Sequence, residues 1–342
     1  MNTVYDYIGI GLGPFNLSLA CLLQPLDNVN GIFLDQRSEF NWHPGLMLDG
    51  VHLQTPFMSD LVTLADPTHP LSFLNYAKQQ GKLYSFYIRG DFFLLRREYN
   101  QYCRWAISQL DNVAFNMRVT RVEYLDGEQC YLVSVDQLQN GKVVGTQLLK
   151  TKKLIIGTGP SPYWPANSQP SQRCRHASDY LTRKDSIQTA KRITLVGGGQ
   201  SAAEIYYDLL QDIHQYGYEL HWLTRSARFF PLEYSKLTLE MTSPEYVDYF
   251  HALPPTQRDE LIQQQKNLYK GINQDLINDI FDLLYQLKLE QPVATKLLTN
   301  ARLDQVFESE QQLHIPCRHT ELNQAFEIVP EPQIFAHGYA RT

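Results

Sequence analysis

The stretch YDYIGIGLGPFNLSLACLL (residues 5–23) joins a short apolar run, three closely spaced glycines and a run with helical spacing. A strand, a glycine turn and a helix open a βαβ unit, in which backbone amides approach a pyrophosphate at the helix N-terminus. The next apolar run, GIFLD, ends in an acid, where dinucleotide folds place an acceptor for ribose hydroxyls. Proline stands where the third glycine of G-x-G-x-x-G is usual, so strand, helix and acid support the prediction more than the glycines alone. The predicted nucleotide contacts are Gly9, Gly11, Gly13, Pro14 and Asp35.

A second stretch, RITLVGGGQSAAEIYYDLL (residues 192–210), repeats the pattern with Gly197, Gly199 and Ala202. The strand after it, ELHWLTR, ends in Arg225 rather than an acid, and Arg228 follows. Guanidinium groups pair with a 2′-phosphate that a carboxylate would repel, so this unit is predicted to bind NADP rather than NAD. The alternative is that both arginines are solvated loop charges.

Two dinucleotide sites in one chain indicate a flavin that is reduced by a nicotinamide cofactor, here FAD at the first site and NADPH at the second. The predicted fold is α/β, with two Rossmann-like dinucleotide-binding domains and a small helical substrate region. Strand patterns in CYLVSVDQ and VVGTQLLKTKKLIIGTG fit this plan, as do helical patterns at 95–110 and 254–288. LIIGTGP and QIFAHGY resemble strands that end where a chain crosses between nucleotide domains. We therefore predict an FAD domain at 1–165, completed by 325–342, and an NADPH domain at 166–324 with its helical region at about 230–290.

Composition excludes several other classes. The 342 residues carry a net charge of −6 without a basic cluster, which argues against nucleic-acid binding. The sequence contains no apolar run long enough to span a membrane and no basic residues before its apolar N-terminus, so we expect a cytoplasmic protein. The five cysteines are widely spaced and never form C-x-x-C, which disfavours a disulfide framework, a metal site and a thioredoxin-reductase type of reductase.

With these motifs, the sequence resembles the flavin-dependent N-hydroxylating monooxygenases of siderophore biosynthesis, which act on lysine, ornithine or simple diamines. The resemblance runs to about Tyr339 and rests on GIGLGPFNLSLA, FNWHPGLM (40–47), LQTPFMSDLVTLADPT (53–68), VGGGQSAAE and SPEY (243–246). It implies hydride transfer from NADPH to FAD, a C4a-hydroperoxyflavin formed with O2, and attack by a neutral terminal amine. It also implies a homo-oligomer. The cofactor contacts it suggests are Trp42 or His43 beside the isoalloxazine, Gln54 orienting the flavin, and Gln200 and Ser201 holding NADP.

By resemblance, residues 54–61 line the amine site. Amino-acid hydroxylases of the family read Gln-x-x-Phe-x-Lys-Asp-Leu there, and the lysine pairs with the α-carboxylate of the substrate. This chain has Ser59 instead, which favours a diamine, putrescine or cadaverine, over an amino acid. Alternatives that stay open are L-lysine, L-ornithine or histamine as substrate, and a lysine supplied from elsewhere in the chain.

Several side chains are candidates for contacting the amine. A carboxylate can hold the distal ammonium of a diamine, although surface charge is an equally good interpretation of each acid taken alone. The segment KNLY stands where ornithine enzymes read Asn-Thr-Asn-Tyr, so a further polar contact to an amino-acid head is missing. The candidates are Gln54, Ser59, Asp60, Glu233, Glu240 and Asn267.

The end of the chain departs from the family pattern. Members continue well beyond Ala-Thr-Gly-Tyr, whereas this sequence reads Ala-His-Gly-Tyr, with His337, and stops three residues later. We therefore expect a fragment, or a truncated flavoprotein without turnover as the non-enzymatic alternative. A flavin monooxygenase of the Baeyer–Villiger or dimethylaniline type is the nearest enzymatic alternative, but the WHPG and QTPF segments favour amine hydroxylation.

Overall fold

The computed structural model describes residues 4–164, 168–309, 312–328, 333–335 and 339–340. These residues divide into two compact units. Unit 1 contains residues 4–43 and 49–160, and unit 2 contains residues 44–48 together with the described residues from 161 onward. Each unit is built around its own sheet, as two successive βαβ patterns require.

A six-stranded sheet forms the centre of unit 1, in the order β5-β2-β1-β8-β7-β6. Its first four strands run parallel and its last three form an antiparallel meander. The predicted strands in CYLVSVDQ and up to LIIG are confirmed as β7 and β8, and the predicted helix near residues 95–110 is α4. The elements of unit 1 are β1 (Val4–Ile10), α1 (Pro14–Leu23), β2 (Gly31–Leu34), β3 (His52–Pro56), α2 (Phe73–Gln79), α3 (Leu83–Arg89), β4 (Phe93–Leu95), α4 (Arg96–Ile107), β5 (Val113–Ala114), β6 (Met117–Leu125), β7 (Cys130–Gln139) and β8 (Lys142–Ile156).

Unit 2 contains a five-stranded parallel sheet in the order β10-β18-β11-β12-β13, and a small antiparallel sheet in which β16 lies beside β14, β15 and β17. Helix α6 buries Ile205, Tyr206 and Leu209. The elements of unit 2 are β9 (Ser161–Pro162), β10 (Cys174–His176), α5 (Tyr180–Gln188), β11 (Arg192–Val196), α6 (Gln200–Gln211), α7 (Ile213–Tyr216), β12 (Glu219–Leu223), α8 (Lys236–Leu239), α9 (Pro244–Ala252), α10 (Pro255–Gln264), α11 (Gln274–Glu290), β13 (Thr295–Leu298), β14 (Ala301–Leu303), β15 (Phe307–Ser309), β16 (Gln312–His319), β17 (Ala325–Ile328), β18 (Gln333–Phe335) and β19 (Tyr339–Ala340).

The helical pattern predicted for residues 254–288 is divided in the structure. Helix α10 ends at Gln264, a 3-10 turn covers Lys266–Leu268, and α11 begins at Gln274. A Cβ atom on Gly271 would lie 2.7 Å from the backbone nitrogen of Leu232, and Ile272 forms a parallel bridge with Pro231. The chain therefore leaves helical geometry here because it pairs with a distant segment, which apolar periodicity does not reveal.

The division into units differs from the predicted domains in two places. Residues 44–48 belong to unit 2, although unit 1 residues flank them on both sides. Two described segments of the predicted completion at 325–342 pair with unit 2 strands, since β17 pairs with β16 and β18 lies between β10 and β11. A short apolar strand before a glycine has the same sequence signature in either sheet, so only the pairing partner assigns it to a unit.

Candidate active site

The first glycine loop joins β1 to α1 at the carboxyl edge of the unit 1 sheet. Gly11 has a left-handed backbone (φ +85°), and a Cβ atom there would lie 2.4 Å from the carbonyl oxygen of Gly157. The buried Asn16 side chain donates from Nδ2 to the Gly11 carbonyl at 2.7 Å. The loop is thus fixed between the ends of β1 and β8 in a conformation that only glycine adopts easily.

The N-terminus of α1 has the properties of a phosphate site. Gly13 is the N-cap without a side-chain hydrogen bond to the helix, and Pro14 occupies the first helical position. Among the described residues, no atom lies within 4 Å of a Cβ built on Gly13. Backbone amides at such a helix start, with open space beside the capping glycine, fit the pyrophosphate of a dinucleotide.

Asp35 follows β2 and is almost fully buried. Its carboxylate accepts hydrogen bonds from the Leu12 amide (2.8 Å) and from the backbone (2.8 Å), Nε (2.9 Å) and Nη2 (2.8 Å) of Arg37. Burial alone would raise the pKa of this carboxyl, but these bonds outweigh burial and hold the pKa below its usual value. A carboxylate has about four acceptor positions, and in Asp35 these are used by the Leu12 amide and by Arg37. A bond from Asp35 to a ribose stays a prediction.

The second glycine loop joins β11 to α6 in the same way. Gly199 is the N-cap of α6, with neither a side-chain cap nor a described atom within 4 Å of a Cβ built on it. The indole of Trp222 donates to the Gly197 carbonyl at 2.7 Å and fixes the turn. Ser201 is half-buried at the second position of α6. This second helix start also fits a pyrophosphate.

Two exposed arginines follow β12. Thr224 is buried at the end of the strand, Arg225 is exposed beyond it, and the exposed Arg228 guanidinium lies 4.6 Å from the centre of the Phe230 ring. An exposed pair of guanidinium groups after the second strand of a dinucleotide unit suits a 2′-phosphate. Contact of Arg225 and Arg228 with NADP stays a prediction.

Comparisons with known proteins agree with this geometry. The model of the L-lysine 6-monooxygenase/L-ornithine 5-monooxygenase family matches residues 3–341. The chain belongs to this monooxygenase family. It is similar to a putrescine N-hydroxylase of Shewanella oneidensis (52% identity; 98% of this chain, 67% of the relative) and to one of Acinetobacter baumannii (47% identity; 98% and 74%). Its fold matches the FAD-bound cadaverine monooxygenase of the Erwinia amylovora desferrioxamine pathway (TM-score 0.95, 53% identity; 100% and 79%).

In this monooxygenase, the WHPG motif lies where the chain passes from unit 1 to unit 2. The Trp42 ring packs edge-on against Tyr99 at 5.3 Å, and His43 has a positive φ of 46°. Within unit 2, a Cβ atom on Gly45 would lie 1.7 Å from the carbonyl oxygen of Ser178, so this position requires glycine. Flavin contacts by Trp42 or His43 stay predictions.

The predicted amine-binding segment of the monooxygenase follows a defined course through unit 1. Gln54 lies on β3, Ser59 is exposed at the end of a 3-10 turn, and the chain then turns until α2 begins. Ser18 on α1 donates to the Leu61 carbonyl at 2.5 Å, and the Tyr102 hydroxyl donates to Leu71 at 2.7 Å. Helices α1 and α4 therefore each hold the segment through one side chain.

Asp60 is the internal anchor of this segment. Its carboxylate accepts from the amides of Val62 (2.9 Å), Thr63 (2.6 Å) and Phe73 (2.6 Å), and from the Thr63 hydroxyl (2.7 Å). Four donors occupy a carboxylate fully. The geometry therefore favours a role in fixing the turn beside Ser59. The Asp60 carboxylate has no acceptor position left over for a substrate ammonium.

Replacing Asp60 by asparagine is expected to lower the free energy of unfolding by about 2 kcal/mol, because charge-assisted bonds are lost and an NH2 group faces amide donors. Urea unfolding followed by circular dichroism measures this loss. Asp66→Asn is the matched control, since the half-buried Asp66 makes the same kind of turn with the Thr68 amide and hydroxyl. Equal losses in the two variants would contradict an anchoring role for Asp60.

The remaining candidates are in unit 2 or outside the described residues. Glu233 and Glu240 are exposed before and after α8, and Asn267 lies in the 3-10 turn Lys266–Leu268. His337 lies outside the described residues. The roles of Glu233, Glu240, Asn267 and His337 stay predictions.

Sequence reasoning missed the side chains that hold these loops, namely Asn16, Ser18, Arg37 and Tyr102. Only Arg37 has a local signal, an Asp-x-Arg spacing directly after a strand. The other three bind carbonyl groups that are 5 to 43 residues away in sequence. No helix among the described residues is both long enough and apolar enough to cross a bilayer, and no group of three or more metal-binding side chains occurs in the same residues.

Proposed function

We propose that this chain N-hydroxylates the terminal primary amine of an aliphatic diamine, putrescine or cadaverine, in hydroxamate siderophore biosynthesis. The observation that carries the proposal is Ser59 at the lysine position of the amino-acid hydroxylases, in a chain whose relatives named above are diamine enzymes. An exposed serine offers no cation to pair with an α-carboxylate. A diamine has no such carboxylate and needs none.

The two glycine loops are proposed to hold FAD in unit 1 and NADPH in unit 2. FAD reduced by NADPH supplies, with O2, the electrophilic oxygen that the amine accepts. The protein supplies the helix starts that bind the two pyrophosphates and the arginines that select the 2′-phosphate. Asp60, Ser18 and Tyr102 fix the segment that presents Gln54 and Ser59.

The substrate must react as a neutral amine. With an amine pKa of about 10.4, only about one molecule in a thousand is neutral near pH 7.4, a deficit of about 4 kcal/mol that the site offsets by desolvation or proton removal. The second ammonium of a diamine remains charged. The sequence offers Glu233 and Glu240 as candidate partners for this ammonium.

The test is hydroxylamine formation together with NADPH oxidation, with putrescine, cadaverine, L-lysine, L-ornithine and histamine offered separately to the FAD-loaded protein. We expect product from the two diamines. Product from an amino acid but from neither diamine would overturn the substrate assignment and leave the family assignment intact. NADPH oxidation without any hydroxylamine would show reduction of the flavin without amine hydroxylation.

The structure also supports self-association. Helix α11 carries Phe281, Tyr285 and Leu289 at spacings of four residues, and each is more than 60% exposed. Side chains four residues apart share one helix face, and an exposed apolar stripe of this kind is typical of an interface. We propose that it contacts a second copy of the chain in a homo-oligomer. We also propose a cytoplasmic location, since all five cysteines are free and buried.

The double variant Phe281→Glu/Tyr285→Glu is expected to elute at a smaller mass than the wild type in size-exclusion chromatography with light scattering, because four charged side chains would meet across a two-fold interface. Leu322→Glu is the control, as Leu322 is an exposed apolar residue in a turn of unit 2. Unchanged mass in the double variant would exclude α11 as the contact.

A further inference from the structure

Two segments that are predicted to contact NADPH both bind the same three residues, 271–273. From the glycine loop, Gln200 at the start of α6 accepts a hydrogen bond through Oε1 from the Asn273 backbone amide at 2.8 Å. Its Nε2 donates to Oε1 of the buried Glu204 at 2.9 Å, one turn further along α6. The side-chain amide of Gln200 therefore accepts one hydrogen bond and donates another, which fixes its orientation.

The second segment follows the arginines after β12. The Ile272 amide donates to the Phe230 carbonyl at 3.0 Å, and the Leu232 amide donates to the Ile272 carbonyl at 2.9 Å. Arg228 packs over the ring of Phe230. Residues 271–273, which we call the junction, are thus bonded both to the phosphate-binding loop and to the chain that carries the 2′-phosphate arginines.

The junction is closely packed. Ile272 is completely buried, and Gly271 fits against the backbone of Pro231 and Leu232 with no room for a Cβ atom. Asn273 is the N-cap of α11, where its Oδ1 accepts from the amides of Asp275 (2.8 Å) and Leu276 (3.3 Å). A displacement of the junction therefore moves the start of α11 and, on its other side, the turn Lys266–Leu268.

We propose that Gln200 is a positioning residue that couples nucleotide binding to the start of α11 and to the turn that contains Asn267. The proposal rests on the proposed function for its amine readout. Phosphate bound at the start of α6 fixes the residue that holds Asn273, so the junction becomes more protected when NADP+ is present. Coupling of this kind is reciprocal, so an amine that contacts the 266–268 turn changes the affinity for NADP+ by the same factor.

Hydrogen exchange measured by mass spectrometry tests the coupling without turnover. In the wild type, NADP+ is expected to slow exchange in peptides that cover residues 266–276. In Gln200→Met, which keeps the side-chain length and removes both hydrogen bonds, these peptides are expected to exchange at least about threefold faster, and NADP+ is expected to have no effect on them. Gln211→Met is the matched control at the other end of α6, where the exposed Gln211 contacts only Tyr207 among the bonds described for it.

The second readout is the putrescine dissociation constant with and without NADP+. The ratio of the two constants is expected to move to one in Gln200→Met and to keep its wild-type value in Gln211→Met. Wild-type exchange together with a wild-type ratio in Gln200→Met would overturn the proposal. If Gln200→Met does not fold, Gln200→Ala is measured in the same way. A wild-type protein that neither binds nor hydroxylates any diamine would refute the proposed function, while the exchange data would still decide the role of Gln200.

Discussion

Gly11→Ala is expected to yield a folded protein that purifies with less than about a tenth of the wild-type flavin, because the first glycine loop loses its shape. A left-handed backbone costs a residue with a Cβ atom about 1 to 2 kcal/mol. The new methyl group would lie 2.4 Å from the Gly157 carbonyl oxygen, and overpacking of this kind costs about 1 to 3 kcal/mol more. The strain is relieved by moving β1 and β8 apart, which displaces the amides at the start of α1.

Flavin content is measured from the ratio of visible to ultraviolet absorbance, and folding from the thermal transition. Gly50→Ala is the first control, since Gly50 has a similar φ of +74° with no described atom within 4 Å of its built Cβ. It introduces backbone strain away from the loop and should retain flavin. Gly13→Ala is the second control. No described atom lies within 4 Å of a Cβ built on Gly13, and its φ of −84° is one that alanine adopts without strain. It should fold as well as the wild type and bind FAD more weakly, because its methyl group meets only the pyrophosphate. A full complement of flavin in Gly11→Ala would contradict the assignment of this loop.

Ser59→Lys is expected to reverse the substrate preference. A lysine ammonium beside the bound substrate repels the ammonium of a diamine and provides a partner for an α-carboxylate. Breaking a desolvated ion pair costs about 3 to 5 kcal/mol. Ser59 is exposed at the end of its turn, so water screens the interaction and the expected effect is smaller than this range. We expect kcat/KM for putrescine to fall, and that for L-lysine or L-ornithine to rise, by at least about tenfold each, or about 1.4 kcal/mol.

The control for Ser59→Lys is Ser59→Met, which adds a side chain of similar size without a charge. Steady-state hydroxylamine formation is compared for the two variants and the wild type with each amine. A loss of diamine activity that is equal in both variants would show that space rather than charge decides the preference. No change in the lysine variant would place the determinant elsewhere in the chain.

The two glycine loops were predictable because each is a contiguous strand, turn and helix whose geometry depends on neighbouring residues. Strands β7, β8 and β12 and helix α4 were predictable for the same reason, since alternating or helical spacing is a local property. The serine at residue 59 was also visible in the sequence, because it is a single position within a motif. The strands, helices and glycine loops each depend on a local pattern of about 10 to 20 residues, roughly the length over which periodicity is informative.

The helical pattern at 254–288 gave no signal of the break that the structure shows between α10 and α11. The break at Gly271 and Ile272 depends on pairing with residues 230–232, about forty positions earlier. The assignment of residues 333–335 to a sheet depended in the same way on the strands that flank them. Pairing between distant segments is decided by the whole packing arrangement, and a local pattern is compatible with several partners.

By itself, the sequence determined that this protein contains two dinucleotide-binding turns and lacks a lysine at position 59. The tertiary structure decided what the polar side chains do. The Asp60 carboxylate is occupied by amides up to Phe73, Asp35 holds Leu12 and Arg37, and Gln200 binds Asn273. The contacts predicted for these residues with the amine, the ribose and the nucleotide stay predictions. A carboxylate or amide has only a few acceptor positions, and folding decides which donors, near or 73 residues away, reach them first.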